Sequence, residues 1–275
     1  MESTILTPSS SPPYYCMGID EAGRGPLAGP VVCSSYYSPL ESPRVPGVMD
    51  SKQLTDENER ERIYGLLTNV PGAKYASAVV DAKCIDRINI LQATMLGMRM
   101  AGNCLVEGVG GGKVPGIGIE GSYTWYEEIE DEGKGGKRGK GKSKSKGKGK
   151  GSSSGEKSVE SGDWYALVDG NRFPNIRGTE CPEVTSGPDM LADGTAVVKG
   201  DGKEYCIAAA SVIAKVTRDR LMREYDLKYK GYGLGQHKGY GTREHVKAIY
   251  DKGVLEIHRR SFAPVKNMDL GEGQS

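Results

Sequence analysis

Cysteine pairs and long apolar runs are missing from this sequence of 275 residues, and histidine is scarce. The six cysteines are spread singly, which argues against a disulfide framework or a zinc site and favours a reducing compartment. The three histidines all follow residue 236, so a histidine-based metal centre is not expected. No apolar stretch approaches the roughly 18–20 residues that a membrane span requires. We therefore expect a protein without a membrane partner.

The first thirteen residues lack the features of a secretory signal. Met1–Pro13 is rich in Ser, Thr and Pro, with no basic start and no apolar core. An organelle transit peptide stays open, although this stretch has no arginine and carries Glu2. We expect an intracellular protein, cytoplasmic if it is of bacterial type, with the nucleus or an organelle open if it is eukaryotic.

The formal charge of +1 hides two opposite runs. Nine of the 37 basic residues lie in Lys134–Lys150, and five of the 36 acids lie in Glu127–Glu132. Without both runs, 28 basic residues face 31 acids, so the rest of the chain is slightly acidic. A basic surface for nucleic acid is therefore expected only as a local patch, or in the lysine run itself.

Apolar patterning predicts one domain over residues 14–266, built from alternating strands and helices. The expected strands are Tyr14–Ile19, Val31–Tyr37, Tyr75–Val80, Tyr165–Asp169 and Ala196–Val198. The expected helices are one capped by Thr55, Ile85–Leu105, Tyr205–Tyr229 and Thr242–Lys252. Residues 107–163 are rich in Gly, acids and then Gly, Lys and Ser, so they predict a disordered insertion. Residues 1–13 and 267–275 predict disordered ends.

One stretch, Gly18–Val32, combines adjacent acids with a glycine-rich turn. Asp20 and Glu21 end the first apolar run, and Gly23, Arg24 and Gly25 follow, which we call the Gly-Arg-Gly turn. Its glycines allow the backbone to approach a ligand closely, because they carry no Cβ. Two acids beside such a turn suit a divalent metal bound together with a phosphate or a sugar. A polar hairpin with solvated acids is the plain alternative.

Acids also follow two later apolar strands. Asp169 follows Leu167 and Val168 in LVDGN, and Asp201 ends VVKGD, which repeats the placement of Asp20 and Glu21. If these strands share one sheet, the four carboxylates converge beyond its edge. Such a cluster is costly unless cations bind it, and oxygen ligands without Cys or His favour Mg²⁺ or Mn²⁺. Paired ions suit hydrolysis of a phosphodiester. Taken singly, Asp169 and Asp201 could be ordinary turn residues.

The chain resembles the ribonuclease HII family, in a bacterial-like form with a Lys/Gly-rich insertion. The matching blocks, within residues 17–106 and 164–266, are GIDEAGRGPLAGPVV, DSKQL, INILQATMLGM, LVDGN, VVKGD, IAAASVIAKVTRDRLM, HKGYGT and IHRRSFAPVK. The resemblance implies an α/β fold of the RNase H type, with a mixed five-stranded sheet flanked by helices and a helical C-terminal part. It also implies a hydrolase that cleaves RNA in RNA–DNA hybrids and incises 5′ of single ribonucleotides in duplex DNA, leaving 3′-hydroxyl and 5′-phosphate ends.

The resemblance implies roles for individual residues. The four acids would bind two Mg²⁺ or Mn²⁺ ions and catalyse hydrolysis; Asp219 is a rival ligand, although its place beside two arginines favours an ion pair. The Gly-Arg-Gly turn would read the ribose 2′-OH through backbone groups. The expected sugar-packing and phosphate-binding residues are Tyr240, Lys52, Ser211 and Lys215, with His237 and Lys238 as further candidates. The expected partners are the nucleic-acid substrates alone, bound by a monomer.

Three features depart from the bacterial pattern of the family. They are the insertion at 107–163, a long loop between Asp169 and Asp201, and the N-terminal extension. None removes a motif residue. Another metal nuclease of the RNase H type, or a non-catalytic nucleic-acid-binding protein anchored by the lysine run, remains an alternative. The Gly-Arg-Gly turn argues against another metal nuclease and against type III ribonuclease H. The four acids argue against a non-catalytic binding protein.

Overall fold

The computed structural model describes residues 15–48, 54, 56–107, 164–174 and 193–268, together with the backbone of 112–113, 120–121 and 123–126. The strands are β1 Tyr15–Ala22, β2 Val31–Tyr37, β3 Lys74–Val80, β4 Gly112–Lys113, β5 Glu120–Gly121, β6 Tyr123–Tyr126, β7 Trp164–Asp169 and β8 Asp193–Val197. The helices are α1 Glu57–Thr68, α2 Ala82–Glu107, α3 Tyr205–Lys228, α4 Leu234–His237 and α5 Arg243–Lys252.

Six strands form one mixed sheet in the order β6-β3-β2-β1-β7-β8. The β1-β2-β3 ribbon is antiparallel, whereas β7 pairs parallel with β1 and β8 parallel with β7. This confirms the mixed α/β sheet, and the five expected strands are present. The sixth strand, β6, pairs parallel with β3 and comes from the region that we expected to be a disordered insertion. Its aromatic residues could be expected to dock locally, but four residues are too few to show a period-two pattern, so no regular period predicted this strand.

Helices cover both faces of the sheet. One apolar cluster lies between the sheet and α2 and includes Met17, Ile19 and Leu96, while another lies beneath α1 and α3. Side chains alternate along a strand, so Gly18 and Asp20 face the side opposite to Met17 and Ile19. A Cβ on Gly18 would lie 2.1 Å from the backbone carbon of Cys206, so glycine is needed where α3 crosses β1. This close crossing places Asp20 beneath α3.

Three details differ from the expected elements. Asp56, not Thr55, caps α1, because its carboxylate accepts a hydrogen bond from the N–H of Asn58 at 2.9 Å. The expected single helix over 85–105 leaves helical geometry at Asn89 (φ 67°, ψ 161°), whose side chain caps the second half. Asp201 does not end a strand: β8 stops at Val197, and Asp201 lies in the 3₁₀ turn Gly200–Gly202 just before α3.

The C-terminal part is helical, as expected, and packs beside the Gly-Arg-Gly turn. Its apolar cluster joins α3, α4 and α5 and includes Leu27 and Ala28 from the segment that follows the turn. Backbone pairing adds to this packing, since Ala28 and His258 form an antiparallel bridge. Among the described residues no helix is long and apolar enough to cross a membrane.

Candidate active site

A pocket of about 310 Å³ opens at the end of β1 and β7. It brings together eight of the eleven residues that the sequence nominated. These are Asp20, Glu21, Gly23, Asp169, Asp201, Ser211, Lys215 and Tyr240. Leu54, Arg60 and Arg218 are among the other residues that line it. The predicted convergence of the strand-end acids is therefore present in the fold.

The strand register brings the first acids together. Ile19 pairs with Val168 in the parallel ladder of β1 and β7, so the next residues along the two strands, Asp20 and Asp169, are neighbours. Glu21 follows on the opposite face of β1 and lies at the pocket mouth. Two neighbouring parallel strands that each end in an acid thus concentrate negative charge at one edge of the sheet.

The fourth acid, Asp201, is brought in by the 3₁₀ turn. The N–H of Gly200 donates a hydrogen bond of 2.6 Å to Asp169 Oδ1, which ties this turn to the end of β7. Gly200 also packs closely on Ile207, because a Cβ there would meet that side chain at 2.5 Å. Asp201 is 8% exposed and lines the same pocket. A tight turn therefore replaces the expected strand end.

Burial raises the pKa of Asp20 well above its usual value, and the charges of Glu21 and Asp169 raise it further. Hydrogen bonds from the Ser211 hydroxyl and from the N–H of Glu21 act in the opposite direction. Burial also raises the pKa of Glu21, against the attraction of Arg24. The pocket thus holds carboxylates whose negative charge the surrounding protein opposes, which is the electrostatic condition for binding a cation.

These carboxylates fit a hard divalent cation by their donor chemistry. Their oxygens, without sulfur or nitrogen ligands, are those that Mg²⁺ and Mn²⁺ prefer. Within the described part of the chain, however, no three Asp, Glu, His or Cys side chains are already grouped to hold an ion.

The Gly-Arg-Gly turn lies at the pocket edge beside Tyr240. Gly23 has φ 98°, and a Cβ there would lie 2.0 Å from Arg218 Nε, so both conformation and space require glycine. A Cβ on Gly25 would contact the Tyr240 ring at 3.7 Å. Arg24 Nη1 lies 3.3 Å from Glu21 Oε1, so the turn and the acids are linked. The Gly-Arg-Gly turn and Tyr240, which come from separate sequence motifs, therefore lie next to each other.

Two basic side chains, Lys215 and Arg60, also line the pocket. Lys215 and Arg60 both bind the buried Asp219, at 2.7 Å and 3.3 Å. Asp219 is therefore ion-paired, as the sequence favoured, and it does not line the pocket. Burial lowers the pKa of Lys215, although Asp219 opposes this shift. Arg60 was missed, because no local pattern marks a residue whose partner is 159 positions away.

Five nominated residues, three of the eleven and the two further candidates, do not fall in this pocket's wall. Lys52 lies outside the described residues. His237 stacks on His245 with ring centroids 4.3 Å apart, and Lys238 donates to the carbonyl of Gly235 at 2.5 Å, so both serve internal packing. Arg24 and Gly25 lie next to the pocket without lining it.

The fold and the pocket define an α/β enzyme of the RNase H type, and comparison with known proteins agrees. The family model for ribonuclease HII matches residues 17–114 and 156–265. Ribonuclease HII of Xanthomonas oryzae pv. oryzae is 36% identical over 94% of this chain and 75% of its own length. The Xylella fastidiosa relative is 38% identical over 91% and 78% of the two chains. That of Bacillus thuringiensis (strain Al Hakam) is 37% identical over 92% and 71%.

Among solved structures, the Bst ribonuclease HIII in complex with Mn²⁺ aligns with a TM-score of 0.54 and 18% identity. The alignment covers 92% of this chain and 68% of that one, and it supports the fold alone. The chain belongs to the ribonuclease HII family. It is accordingly a ribonuclease H, an endonuclease that hydrolyses the RNA of RNA–DNA hybrids.

Proposed function

We propose that this enzyme incises duplex DNA on the 5′ side of a single embedded ribonucleotide, in addition to cleaving RNA–DNA hybrids. The observation that carries the proposal is the contact between two features: the acidic pocket and the Gly-Arg-Gly turn with Tyr240 at its edge. Only the 2′-OH separates a ribonucleotide from a deoxyribonucleotide at one position of a duplex. If the backbone of the turn contacts that hydroxyl beside the reacting phosphate, a single ribose is enough to select the substrate.

Asp20, Glu21, Asp169 and Asp201 would hold two Mg²⁺ or Mn²⁺ ions. Such ions activate water and stabilise the leaving oxygen in phosphodiester hydrolysis. The buried position of Asp20, with its raised pKa, supports the assignment, because a cation relieves the repulsion among the acids. Hydrolysis breaks the bond between phosphorus and the O3′ of the preceding deoxyribonucleotide. The products are a 3′-hydroxyl and a 5′-phosphate on the ribonucleotide.

The remaining pocket residues would position the nucleic acid. Lys215 and Arg60 would neutralise backbone phosphates, and their shared ion pairing with Asp219 supports this role. Tyr240, which is 46% exposed at the turn, would pack on the sugar next to the scissile phosphate. Ser211 would act through its hydrogen bond to Asp20, in addition to any phosphate contact. Lys52 stays a proposed phosphate ligand from the DSKQL motif alone.

We further propose that residues 14–266 form one catalytic domain that acts as a monomer. The two described halves of the chain supply strands to the same sheet, which supports a single unit interrupted by the insertion. The lysine run of this insertion, Lys134–Lys150, lies outside the described residues and would add sequence-independent attraction to phosphates.

The test uses a duplex DNA with one ribonucleotide, labelled at the 5′ end of the ribonucleotide-containing strand, with and without Mg²⁺ or Mn²⁺. We expect metal-dependent cleavage to one product that ends in a 3′-hydroxyl and can be extended by a polymerase. An all-DNA duplex of the same sequence should stay intact. If the enzyme cleaves a long RNA–DNA hybrid but leaves the single ribonucleotide uncut, the proposal is wrong.

A further inference from the structure

A buried arginine that does not line the pocket binds the carbonyls of the Gly-Arg-Gly turn. Arg259 is fully buried, and all three of its guanidinium nitrogens donate to backbone oxygens. Nη2 donates to Gly23 O at 2.6 Å, Nη1 to Arg24 O at 2.9 Å and Nε to Gly29 O at 3.0 Å. Two of the three acceptors are therefore residues of the turn itself.

These contacts fix the orientation of two peptide groups. In a planar trans peptide the C=O and N–H bonds point in opposite directions. Because Arg259 holds the carbonyls of Gly23 and Arg24, the N–H groups of Arg24 and Gly25 point away from it. Neither N–H has a hydrogen-bond partner within the described ranges of the chain. The guanidinium thus turns two donors away from itself, within a turn that lies beside Tyr240.

The segment that carries Arg259 is itself anchored. The backbone N–H of Arg259 donates to Leu27 O at 2.8 Å, and the N–H of Gly29 donates to Ile257 O at 2.8 Å. The Asp86 carboxylate accepts from the N–H groups of Arg260 and Ser261, each at 2.8 Å. The guanidinium is therefore delivered to the turn by a fixed backbone, not by a mobile side chain alone.

Arginine suits this position better than lysine. Its planar guanidinium presents donors in a rigid fork, whereas an ammonium group concentrates its donors on one atom. Burial lowers the pKa of Arg259 to about 9, so the charge is kept at a cost that the three carbonyls offset. A group that is held charged, buried and aimed at a recognition turn has a role beyond filling space.

We infer that Arg259 is a positioning residue that sets the selectivity for the ribose 2′-OH by holding the Gly-Arg-Gly turn in its reading orientation. This inference rests on the proposed function, because it assigns the N–H groups of Arg24 and Gly25 to the ribose. It makes Arg259 a determinant of specificity that touches neither the substrate nor the acids.

The experiment compares two dissociation constants for each protein, measured in EDTA by fluorescence anisotropy. One duplex carries a single ribonucleotide, and the other has the same sequence in all-DNA form. The selectivity ratio is the dissociation constant for the all-DNA duplex divided by that for the ribonucleotide-containing duplex. An unfolded fraction lowers both apparent affinities alike, so this ratio does not depend on how much of the protein is folded. Arg259→Lys should lower the ratio about tenfold, with little change in binding to the all-DNA duplex.

Arg220→Lys is the matched control. Arg220 also donates two hydrogen bonds from a planar guanidinium, but both go to the Glu61 carboxylate, at 3.2 Å and 2.5 Å, and Arg220 does not line the pocket. Its ratio should stay within about twofold of wild type. Asp86→Ala keeps Arg259 and loosens the segment that carries it, so its ratio should fall by about threefold and its fold should survive.

The outcomes separate this inference from the proposed function. Equal binding of both duplexes by the wild-type enzyme would overturn the proposed 2′-OH reading and this inference together. A wild-type preference that Arg259→Lys and Asp86→Ala both keep would overturn the inference alone, and so would an equal loss in Arg220→Lys. If Arg259→Lys does not fold, the Asp86→Ala ratio decides.

Discussion

The buried arginines and the buried acids around this pocket meet different partners. Arg218 and Arg259 each donate three hydrogen bonds to backbone carbonyls, so their donors are matched within the protein. Asp20 accepts from neutral donors, and the nearest charges that act on its pKa are the acids Glu21 and Asp169. The two arginines thus have hydrogen-bond acceptors within the protein, whereas the acids repel one another.

This difference distinguishes a scaffold from a binding site. A matched buried charge orders the backbone around it and needs nothing from solution. A buried acid beside other acids raises the free energy of the folded protein until a cation arrives. The arginines therefore form the fixed part of the site, and the acids form the part that, under the proposed function, a metal would complete.

Removing a pocket acid should give the largest effect. Asp169→Asn should lower kcat on an RNA–DNA hybrid by roughly 10³-fold, because charge stabilisation by the metals is worth several kcal/mol. Single-turnover cleavage in saturating Mn²⁺ measures this loss. Asp226→Asn, an acid of α3 that does not line the pocket, is the control. Wild-type turnover by Asp169→Asn would contradict the assignment of the pocket.

Removing a matched arginine should mainly cost stability. Arg218→Met keeps the aliphatic packing but leaves the carbonyls of Ala28, Pro30 and Lys238 without their donor. We expect the free energy of unfolding to fall by roughly 3 kcal/mol or more, measured by urea denaturation. Arg62→Met, which breaks an exposed pair with Glu59, is the control and should change it by less than about 1 kcal/mol. Equal losses would show that the buried carbonyl contacts are not special.

Tyr240 should separate the two substrates. Tyr240→Ala should reduce kcat/KM by roughly 10- to 100-fold on a single-ribonucleotide duplex and less on a long hybrid, because the junction sugar supplies the surface on which the ring packs. Tyr240→Phe keeps the ring and is the matched control, with both activities near wild type. A uniform loss on both substrates would make Tyr240 a packing residue.

The buried carboxyl of Asp20 should make the stability of the folded protein depend on pH. Because the folded-state pKa of Asp20 is raised, the folded protein binds more protons than the unfolded chain above about pH 4. The stabilising contribution of protonated Asp20 is complete below the unfolded pKa and is lost as pH rises through the folded pKa. In EDTA, the thermal midpoint of Asp20→Asn should therefore depend less on pH over this window than that of wild type. Parallel pH curves for the two proteins would contradict the raised pKa.

The sequence predicted the acids better than the scaffold that surrounds them. Asp20 and Asp169 follow apolar strands, a local pattern that also implies their meeting at one sheet edge. Arg259 and Gly23 are 236 positions apart, so no local pattern could reveal that contact. The break at Asn89 was missed for a related reason, because apolar residues continue on both sides of it. Long-range contacts and backbone conformation, not composition, decide these features.

Repulsion among the pocket acids should destabilise the folded protein until a cation binds. This is tested most directly by the thermal midpoints of wild-type and Asp20→Asn protein, each in EDTA and in Mn²⁺ at pH 8. We predict that Asp20→Asn is the more stable protein in EDTA, and that Mn²⁺ stabilises wild type but has a much smaller effect on the variant. A variant that is less stable than wild type in EDTA, together with a wild-type midpoint that Mn²⁺ does not shift, would contradict the account.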